Sequence, residues 1–355
     1  MNRKLILNKN SVLKALEKIG SLSTIESIRK QSRSLARTLR GRATRGNLDA
    51  AGGRLVVSQS YLLGELDQLQ KAQSVERAQY YLTRLSKGLT TVKTSKTNDL
   101  NLRRWKQYEE VLTDSLWILP RRDSSGKHSA WYWGNFVPQI PHQLMLRYTK
   151  QDEWVLDPFV GSGTTLLECQ RLQRNGLGIE LNPAVARRTR TLLEDASAPH
   201  SVRTEVKTGD STRMDFRGVL RGMGIQSVQL VILHPPYHDI IRFSRSRRDL
   251  SNASTVKQFA DRFGSVVDNS LSVLDRNRFL AVIIGDKYNK REWIPLGFRL
   301  MEEILKRGCL LKSIVVKNFE QTVGKRKLQQ LWRYRALVGG FYVFKHEYIF
   351  IFQKQ

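Results

Sequence analysis

The sequence predicts an α/β protein with a doubly wound, mostly parallel sheet, preceded by a basic and mainly helical N-terminal region. From about residue 126 onward, short β-rich apolar runs alternate with stretches long enough for a crossover helix. Before that point, apolar residues recur at helical spacing. The first apolar run of the later part ends in a glycine-rich turn, as strands do where open parallel sheets bind ligands. We therefore expect two domains, residues 1–125 and 126–355.

Six apolar runs supply the expected strands of the C-terminal part. The segments between the first five are long enough for helices that cross from one strand to the next, which makes those strands parallel. The last two runs are joined by a basic loop and could pair as an antiparallel hairpin at one edge. In chain order the runs are EWVLDPF, NGLGIEL, SVQLVILH, RFLAVIIGD, LKSIVVKNF and FYVFKHEYIFIFQ.

The N-terminal region is distinguished by its charge. The segment from Arg29 to Arg45 carries only basic charges. Such a run is usually a solvated face, but in a chain this basic an arm that contacts phosphates is an equal alternative. No internal repeat is evident. We predict that residues 1–125 contribute to nucleic-acid binding or target recognition, through Arg29, Lys30, Arg33, Arg37 and Arg40.

Composition restricts the partners and the cellular setting. The 355 residues carry 60 Lys and Arg against 32 Asp and Glu, a formal charge of +28, which favours nucleic acid as a partner. Cys169 and Cys309 lack the spacing of a disulfide framework or a zinc site, so no metal is expected. No apolar run reaches about 18 residues, and the N-terminal apolar stretch is too short for a signal peptide. A cytoplasmic, nucleoid-associated protein without a membrane partner is expected.

A glycine turn, DPFVGSGTT, closes the first predicted strand. A phosphate-binding loop would require Lys after Gly163, and a dinucleotide fingerprint would require glycine where Leu166 stands. The remaining interpretation is a site for a sulfonium nucleoside. In it Asp157 lies near the cationic part of the ligand, and the glycines allow a close approach. The ligand-binding residues expected with Asp157 are Pro158, Phe159, Gly161, Ser162, Gly163 and Thr164.

Two further acids follow the next two strands. Glu180 lies about twenty residues past the glycines, where an acid can accept hydrogen bonds from both hydroxyls of a ribose. Asp210 follows another possible strand, which is not among the six apolar runs, and could accept a hydrogen bond from an adenine amino group. Each acid has a structural alternative. Glu180 could be an ordinary exposed acid at a strand end, and Asp210 could cap a helix.

The third strand in the list above, SVQLVILH, is followed by two prolines and an aromatic residue. Pro235 and Pro236 lack amide donors, so the strand must end at His234, at the sheet edge where such folds bind ligands. His234 and the carbonyl that follows it could accept hydrogen bonds from an exocyclic amine of a base. Tyr237 offers a flat face on which that base could stack. The structural alternative is a Pro-Pro turn with Tyr237 packed in the core.

Together these motifs resemble those of the DNA amino-methyltransferases, which modify N4 of cytosine or N6 of adenine. DPFVGSGTT is similar to their cofactor motif, and HPPY to their catalytic (D/N/S)PPY motif with a histidine first. Weaker similarities include the segment Trp133 to Thr149 and the closing HEYIFIF, which favours the cytosine branch. The resemblance implies a class I methyltransferase fold, Rossmann-like, with S-adenosylmethionine as cofactor and a base flipped out of the duplex. The catalytic residues that it implies are His234, Pro235, Pro236 and Tyr237.

The same resemblance implies DNA as the partner, in a restriction-modification, phage or mobile-element setting, with a restriction partner or a homodimer. We assign sequence reading to the N-terminal region and to two basic segments of the later part. Two alternatives stay open. One is an RNA amino-methyltransferase, for example acting on guanosine N2; the other is a nucleic-acid-binding subunit that lost the chemistry, which the unusual His234 suggests. The basic segments are represented by Arg245, Arg247, Lys325, Arg326 and Lys327.

Overall fold

The computed structural model describes residues 3–41, 53–129, 131–194, 202–318 and 329–355. The chain divides into an N-terminal unit, residues 1–111, and a C-terminal unit, residues 112–355. This division precedes the predicted boundary at residue 125. The predicted basic residues Lys325, Arg326 and Lys327 lie outside the described residues.

Two strands and four α-helices make up the regular structure described for the N-terminal unit, together with a short 3₁₀ segment. Asn8 and Ser58 cap the helices that follow the two strands. The elements are β1 (Lys4–Asn8), α1 (Lys9–Gly20), α2 (Ile25–Gly41), β2 (Arg54–Ser58), α3 (Gln59–Lys71), α4 (Val75–Thr90) and the 3₁₀ segment Leu102–Gln107.

The N-terminal unit is an internal duplication, so the expectation of no repeat is wrong. Strand, helix and helix occur twice, and each element of the second copy begins 50 residues after its counterpart. The caps are repeated too: the side chain of Asn8 accepts from the Ser11 amide at 3.0 Å, and that of Ser58 from the Tyr61 amide at 3.3 Å. The copies share apolar spacing and capping chemistry more than identical residues, which is why the repeat is hard to see in the sequence.

The C-terminal unit is built around one large sheet. Its elements are β3 (Leu116–Trp117), α5 (Gln139–Tyr148), β4 (Trp154–Asp157), α6 (Thr164–Leu172), β5 (Asn175–Glu180), α7 (Pro183–Leu193), β6 (Thr204–Thr208), α8 (Phe216–Gly222), β7 (Val228–Leu233), α9 (Val256–Val273), β8 (Leu274–Ile284), β9 (Lys287–Asn289), β10 (Glu292–Ile294), α10 (Leu296–Leu305), β11 (Leu310–Asn318), α11 (Gln329–Gly339) and β12 (His346–Gln353).

The eight strands of the large sheet lie in the order β3-β11-β12-β8-β7-β4-β5-β6. β12 is antiparallel to both of its neighbours, and the other pairs are parallel. The predicted doubly wound, mostly parallel sheet is therefore confirmed. The predicted antiparallel pairing of the last two long strands is also found, but β12 lies inside the sheet, between β11 and β8, and not at its edge.

Both faces of this sheet are covered by helices. In β7, Val231 and Leu233 enter one core with Phe259 of α9, while Leu230 and Ile232 enter the other core, to which α5 and α6 also contribute. Burial on both faces explains why the run VQLVIL is almost continuously apolar.

The sheet order places a topological switch point between β4 and β7. The chain runs outward from β4 through β5 to β6, and then returns to β7 on the other side of β4. The loops that follow β4 and β7 therefore diverge from neighbouring strands and leave a crevice at the carboxyl ends of those strands.

Both cysteines are free and buried. Over the described ranges, no helix combines the length and the apolar character that crossing a membrane requires. Nor do those ranges bring three His, Cys, Asp or Glu side chains together as metal ligands.

Candidate active site

A cavity of about 1200 Å³ lies at the switch point. Its wall includes Gly161 and Ser162 of the glycine turn and the whole segment from His234 to Tyr237. The two sequence motifs thus face one cavity, because neighbouring parallel strands carry their following loops to the same edge of the sheet. Pockets for single small molecules typically measure about 300–1,000 Å³, so this cavity is larger than that range.

Asp157 lies behind the glycine turn and is not part of the cavity wall. Its fully buried carboxylate accepts hydrogen bonds from the hydroxyl of Thr165 at 2.5 Å and from the amide of Phe159 at 2.9 Å. Burial raises the pKa of this carboxyl to about 7. The structure therefore gives Asp157 the role of holding the turn in place, whereas the sequence had suggested proximity to the ligand.

At both glycines of the turn, the backbone conformation and the neighbouring side chains disfavour any residue with a Cβ. Gly161 has φ +48°, and a Cβ there would come within 2.9 Å of the Tyr132 ring. Gly163 has φ +83°, and its Cβ would come within 2.7 Å of Thr189. Only glycine combines this left-handed backbone with the absence of a side chain. Gly163 does not line the cavity, but the other predicted turn residues do, namely Pro158, Phe159, Gly161, Ser162 and Thr164.

Glu180, at the end of β5, faces the cavity and supports the turn at the same time. One carboxylate oxygen accepts from the Gly161 amide at 3.1 Å, and the other accepts from the Asn182 amide at 2.8 Å. The side chain is only 8% exposed, which excludes the alternative of an ordinary exposed acid. Burial raises its pKa.

Asp210 also lines the cavity, in the turn that follows β6. One of its oxygens accepts from both the amide and the hydroxyl of Thr212, at 2.9 and 2.7 Å. The next helix, α8, begins only at Phe216, so Asp210 holds a turn and does not cap a helix.

An aromatic segment upstream of β4 forms another part of the wall. Tyr132 stacks on Phe243 with ring centroids 5.6 Å apart, and both residues line the cavity. Asn135 donates from Nδ2 to the Ser162 hydroxyl at 3.2 Å, which joins this segment to the glycine turn. The resemblance includes the segment from Trp133 to Thr149, which begins just after Tyr132, but it predicts no site residue there.

His234 immediately follows β7. Its ring lies 4.8 Å from that of Phe136 and 5.8 Å from that of Tyr237, measured between centroids. Burial lowers the pKa of His234 to about 4, so the imidazole is neutral near pH 7. A neutral imidazole has one nitrogen that can accept a hydrogen bond.

Tyr237 is held by an ion pair that sequence analysis missed. Its hydroxyl donates to Glu347 at 2.8 Å, and the other oxygen of Glu347 lies 3.0 Å from the ammonium of Lys317. All three residues line the cavity, which argues against a Tyr237 ring wholly inside the core. Lys317 and Glu347 are paired across β11 and β12. The antiparallel hairpin was predicted, but its register, which brings these charges together, was not.

The predicted basic residues have different surroundings. Arg29 donates to the carbonyl of Ala72 at 2.7 and 3.1 Å, so its guanidinium serves the packing of the N-terminal unit. Arg248, which was not predicted, lines the cavity. Exposed positions are taken by Lys30, Arg33, Arg37 and Arg40 on α2, and by Arg245 and Arg247 in the segment after the prolines.

The neutral state of His234 can be tested directly. Its ordinary pKa of about 6.5 is lowered to about 4 in the folded protein, so between these pH values only the unfolded chain takes up the proton. His234 should therefore reduce stability progressively as the pH falls from about 6.5 to about 4. In an NMR titration of labelled histidines, the signal that disappears in His234→Asn should show no titration between about pH 5.5 and 8. A midpoint near 6.5 would contradict this assignment.

The sheet order with its internal antiparallel strand, the switch-point cavity and the acid at the end of β5 define the fold class. The C-terminal unit has the Rossmann-like fold of class I methyltransferases.

Comparison with known proteins finds similarities to methyltransferases. Residues 66–190, about a third of the chain, match a family model described as DNA methylase. The Type II methyltransferase M.MjaII of Methanocaldococcus jannaschii is 38% identical over 52 residues, 15% of this chain and 10% of that protein. The Type II methyltransferase M.HindIII of Haemophilus influenzae is 36% identical over 92 residues, 25% of this chain and 28% of that protein. A solved SAM-dependent methyltransferase from Methanosarcina mazei is 12% identical, with a TM-score of 0.38 over 57% of this chain and 93% of that one.

The chain thus spans less than a third of the length of the curated relatives that it matches. The family match contains the glycine turn and ends before the HPPY segment. The family match and these relatives agree with the resemblance to DNA amino-methyltransferases that the motifs predicted.

Proposed function

We propose that the chain is a site-specific DNA methyltransferase. It transfers a methyl group from S-adenosylmethionine to an exocyclic amine of a base, with cytosine N4 as the favoured target and adenine N6 as the other. The observation that carries this proposal is the single cavity shared by the glycine turn and the HPPY segment. The preference for cytosine rests on the similarity of HEYIFIF to that branch.

The cofactor half of the cavity is formed by the glycine turn and the acids after β5 and β6. The residues present fit a nucleoside: Glu180 offers carboxylate oxygens to ribose hydroxyls, and Asp210 offers one to an adenine amino group. Gly161 lines this half of the cavity with a left-handed backbone, φ +48°. When bound, S-adenosylmethionine supplies a methyl group activated by its sulfonium.

The base half is formed by the HPPY segment. His234 and the backbone carbonyl after it accept hydrogen bonds from the amine, which draws the nitrogen toward tetrahedral geometry and frees its lone pair. Tyr237 provides the stacking face, and its hydroxyl bond to Glu347 fixes the ring. Transfer then depends on positioning more than on a strong base. The target base must leave the duplex to reach these groups.

The charge around the cavity suits a polyanion. Arg121, Arg122 and Arg248 line it, and Arg245 and Arg247 lie exposed beside Arg248 in the chain. Phosphate contacts of this kind position a duplex without reading its sequence. Since the matched relatives are Type II methyltransferases, a restriction-modification setting is part of the proposal.

A labelled methyl-transfer assay with DNA and RNA side by side tests the proposal. Incorporation into DNA is expected, and methylation-aware sequencing of DNA from expressing cells would identify the base and its context. Incorporation into RNA alone would replace DNA as the substrate. If wild-type protein labels neither nucleic acid and binds no S-adenosylmethionine, the activity proposed here is wrong.

Gly161→Ala should weaken S-adenosylmethionine binding by at least about tenfold, because the added methyl group collides with Tyr132 and the backbone is strained. Gly224→Ala is the matched control, with φ +75° and nothing within 4 Å of the new Cβ. It carries the strain without the collision. Calorimetry on both variants measures the effect, and equal affinities would show that this close approach is unimportant.

A further inference from the structure

The N-terminal unit has an exposed surface with no assigned role, the outer face of the ribbon formed by β1 and β2. The strands are antiparallel, and Ile6 lies opposite Val56, its own counterpart in the duplication. The ends of the ladder match as well: the Lys9 amide donates to Gly53 at 2.9 Å and the Gln59 amide to Arg3 at 2.8 Å. An approximate two-fold axis therefore passes through the middle of the ribbon.

The two faces of the ribbon differ sharply. The inner face buries alternate residues in the core of the unit, namely Leu5, Leu7, Leu55 and Val57. On the outer face, Lys4 and Arg54 are exposed and occupy equivalent positions at opposite ends. Between them lie Ile6 and Val56, the latter 43% exposed. Neither strand contains an acid.

The outer face of the ribbon has the size and chemistry of a surface that binds duplex DNA. A two-stranded ribbon fits the major groove, where Lys and Arg bind guanine and apolar side chains contact the thymine methyl group. Lys4 and Arg54 are separated by four residues along the ribbon, about 14 Å at about 3.4 Å per residue. Successive base pairs of duplex DNA are about 3.4 Å apart, so the distance between Lys4 and Arg54 spans about four base pairs.

We propose that the β1–β2 ribbon enters the major groove of duplex DNA and contacts base edges through Lys4, Arg54, Ile6 and Val56. The two-fold axis of the ribbon matches that of a duplex, so the element that it reads is short and roughly palindromic, with G·C pairs toward its ends. The unit is basic overall, with 22 Lys and Arg against nine Asp and Glu in residues 1–111. The inference rests on the proposed function only for the choice of DNA.

The test uses the full chain without cofactor, so that it reads binding and not methyl transfer. Wild-type protein first selects preferred duplexes from a random pool, and fluorescence anisotropy then measures affinity for a selected and a random duplex. Lys4→Ala/Arg54→Ala should lose at least about tenfold of the preference for the selected duplex. Val56→Glu, which places a carboxylate in the middle of the ribbon, should lose at least as much. Thermal unfolding verifies that each variant is folded.

The matched control is Lys14→Ala/Lys18→Ala, which removes two exposed charges from α1 of the same unit. It should keep the preference within about twofold, because general charge loss lowers affinity for both duplexes alike. Guanine N7 methylation interference should mark guanines in an element of about four base pairs, and the marks should disappear with the ribbon variant.

Three results would overturn the inference. They are an unchanged preference in the ribbon variants, an absence of major-groove interference, and a greater loss in Arg33→Ala/Arg37→Ala on the exposed face of α2. A wild-type protein that methylates DNA while its ribbon variants bind normally would leave the proposed function standing and remove only this role of the ribbon.

Discussion

Replacing Tyr237 by alanine should slow methyl transfer to DNA by about 10- to 100-fold while S-adenosylmethionine affinity stays within about twofold. Stacking of a base on an aromatic ring contributes about 1–3 kcal/mol, and about 1.4 kcal/mol corresponds to a factor of ten. The ring forms part of the cavity wall in the HPPY segment, apart from the acids assigned to the nucleoside. The measurement is a single-turnover rate on duplex DNA, with calorimetry of the cofactor alongside.

Tyr237→Phe is the matched control for this prediction. It keeps the stacking face and removes only the hydroxyl that donates to Glu347, while Lys317 still pairs with that carboxylate. We expect a loss of less than about tenfold, because the ring that stacks on the base is retained. If alanine proves as active as phenylalanine, the target base does not stack on this ring.

Replacing Glu180 by alanine should weaken S-adenosylmethionine binding by about 100-fold or more. The carboxylate is proposed to accept from two ribose hydroxyls, and hydrogen bonds to charged groups contribute about 1.5–3 kcal/mol each. It also accepts from the Gly161 and Asn182 amides, so its loss leaves two donors of the turn unpaired. Calorimetry with S-adenosylmethionine, supported by a thermal unfolding curve, provides the measurement.

Glu205→Ala is the control for charge and location. Glu205 lies on the neighbouring strand β6 and pairs with Arg203 and Lys207 near the surface. Its removal should leave cofactor affinity within about twofold. Binding by Glu180→Ala that equals that of Glu205→Ala would remove Glu180 from the nucleoside site.

Much of the C-terminal unit could be predicted because its signals are local. Apolar runs such as VQLVIL are buried on both faces, and Pro235 and Pro236 end a strand whatever surrounds them. The short strand β3 was not predicted, because two residues give no periodicity. The two strands of the N-terminal unit, β1 and β2, were not predicted for a different reason. KLILN and RLVVS each continue directly into a helix with an apolar pattern of its own.

The sequence by itself determined the class of fold, the glycine turn and the proline corner, because each depends on the backbone limits of a few consecutive residues. Tertiary structure alone decided which side chains meet. It turned Asp157 away from the cavity, paired Lys317 with Glu347 beneath Tyr237, and aligned two copies of one motif into a ribbon. These contacts join residues far apart in the chain, and the register of strand pairing that creates them is set by packing of the whole sheet.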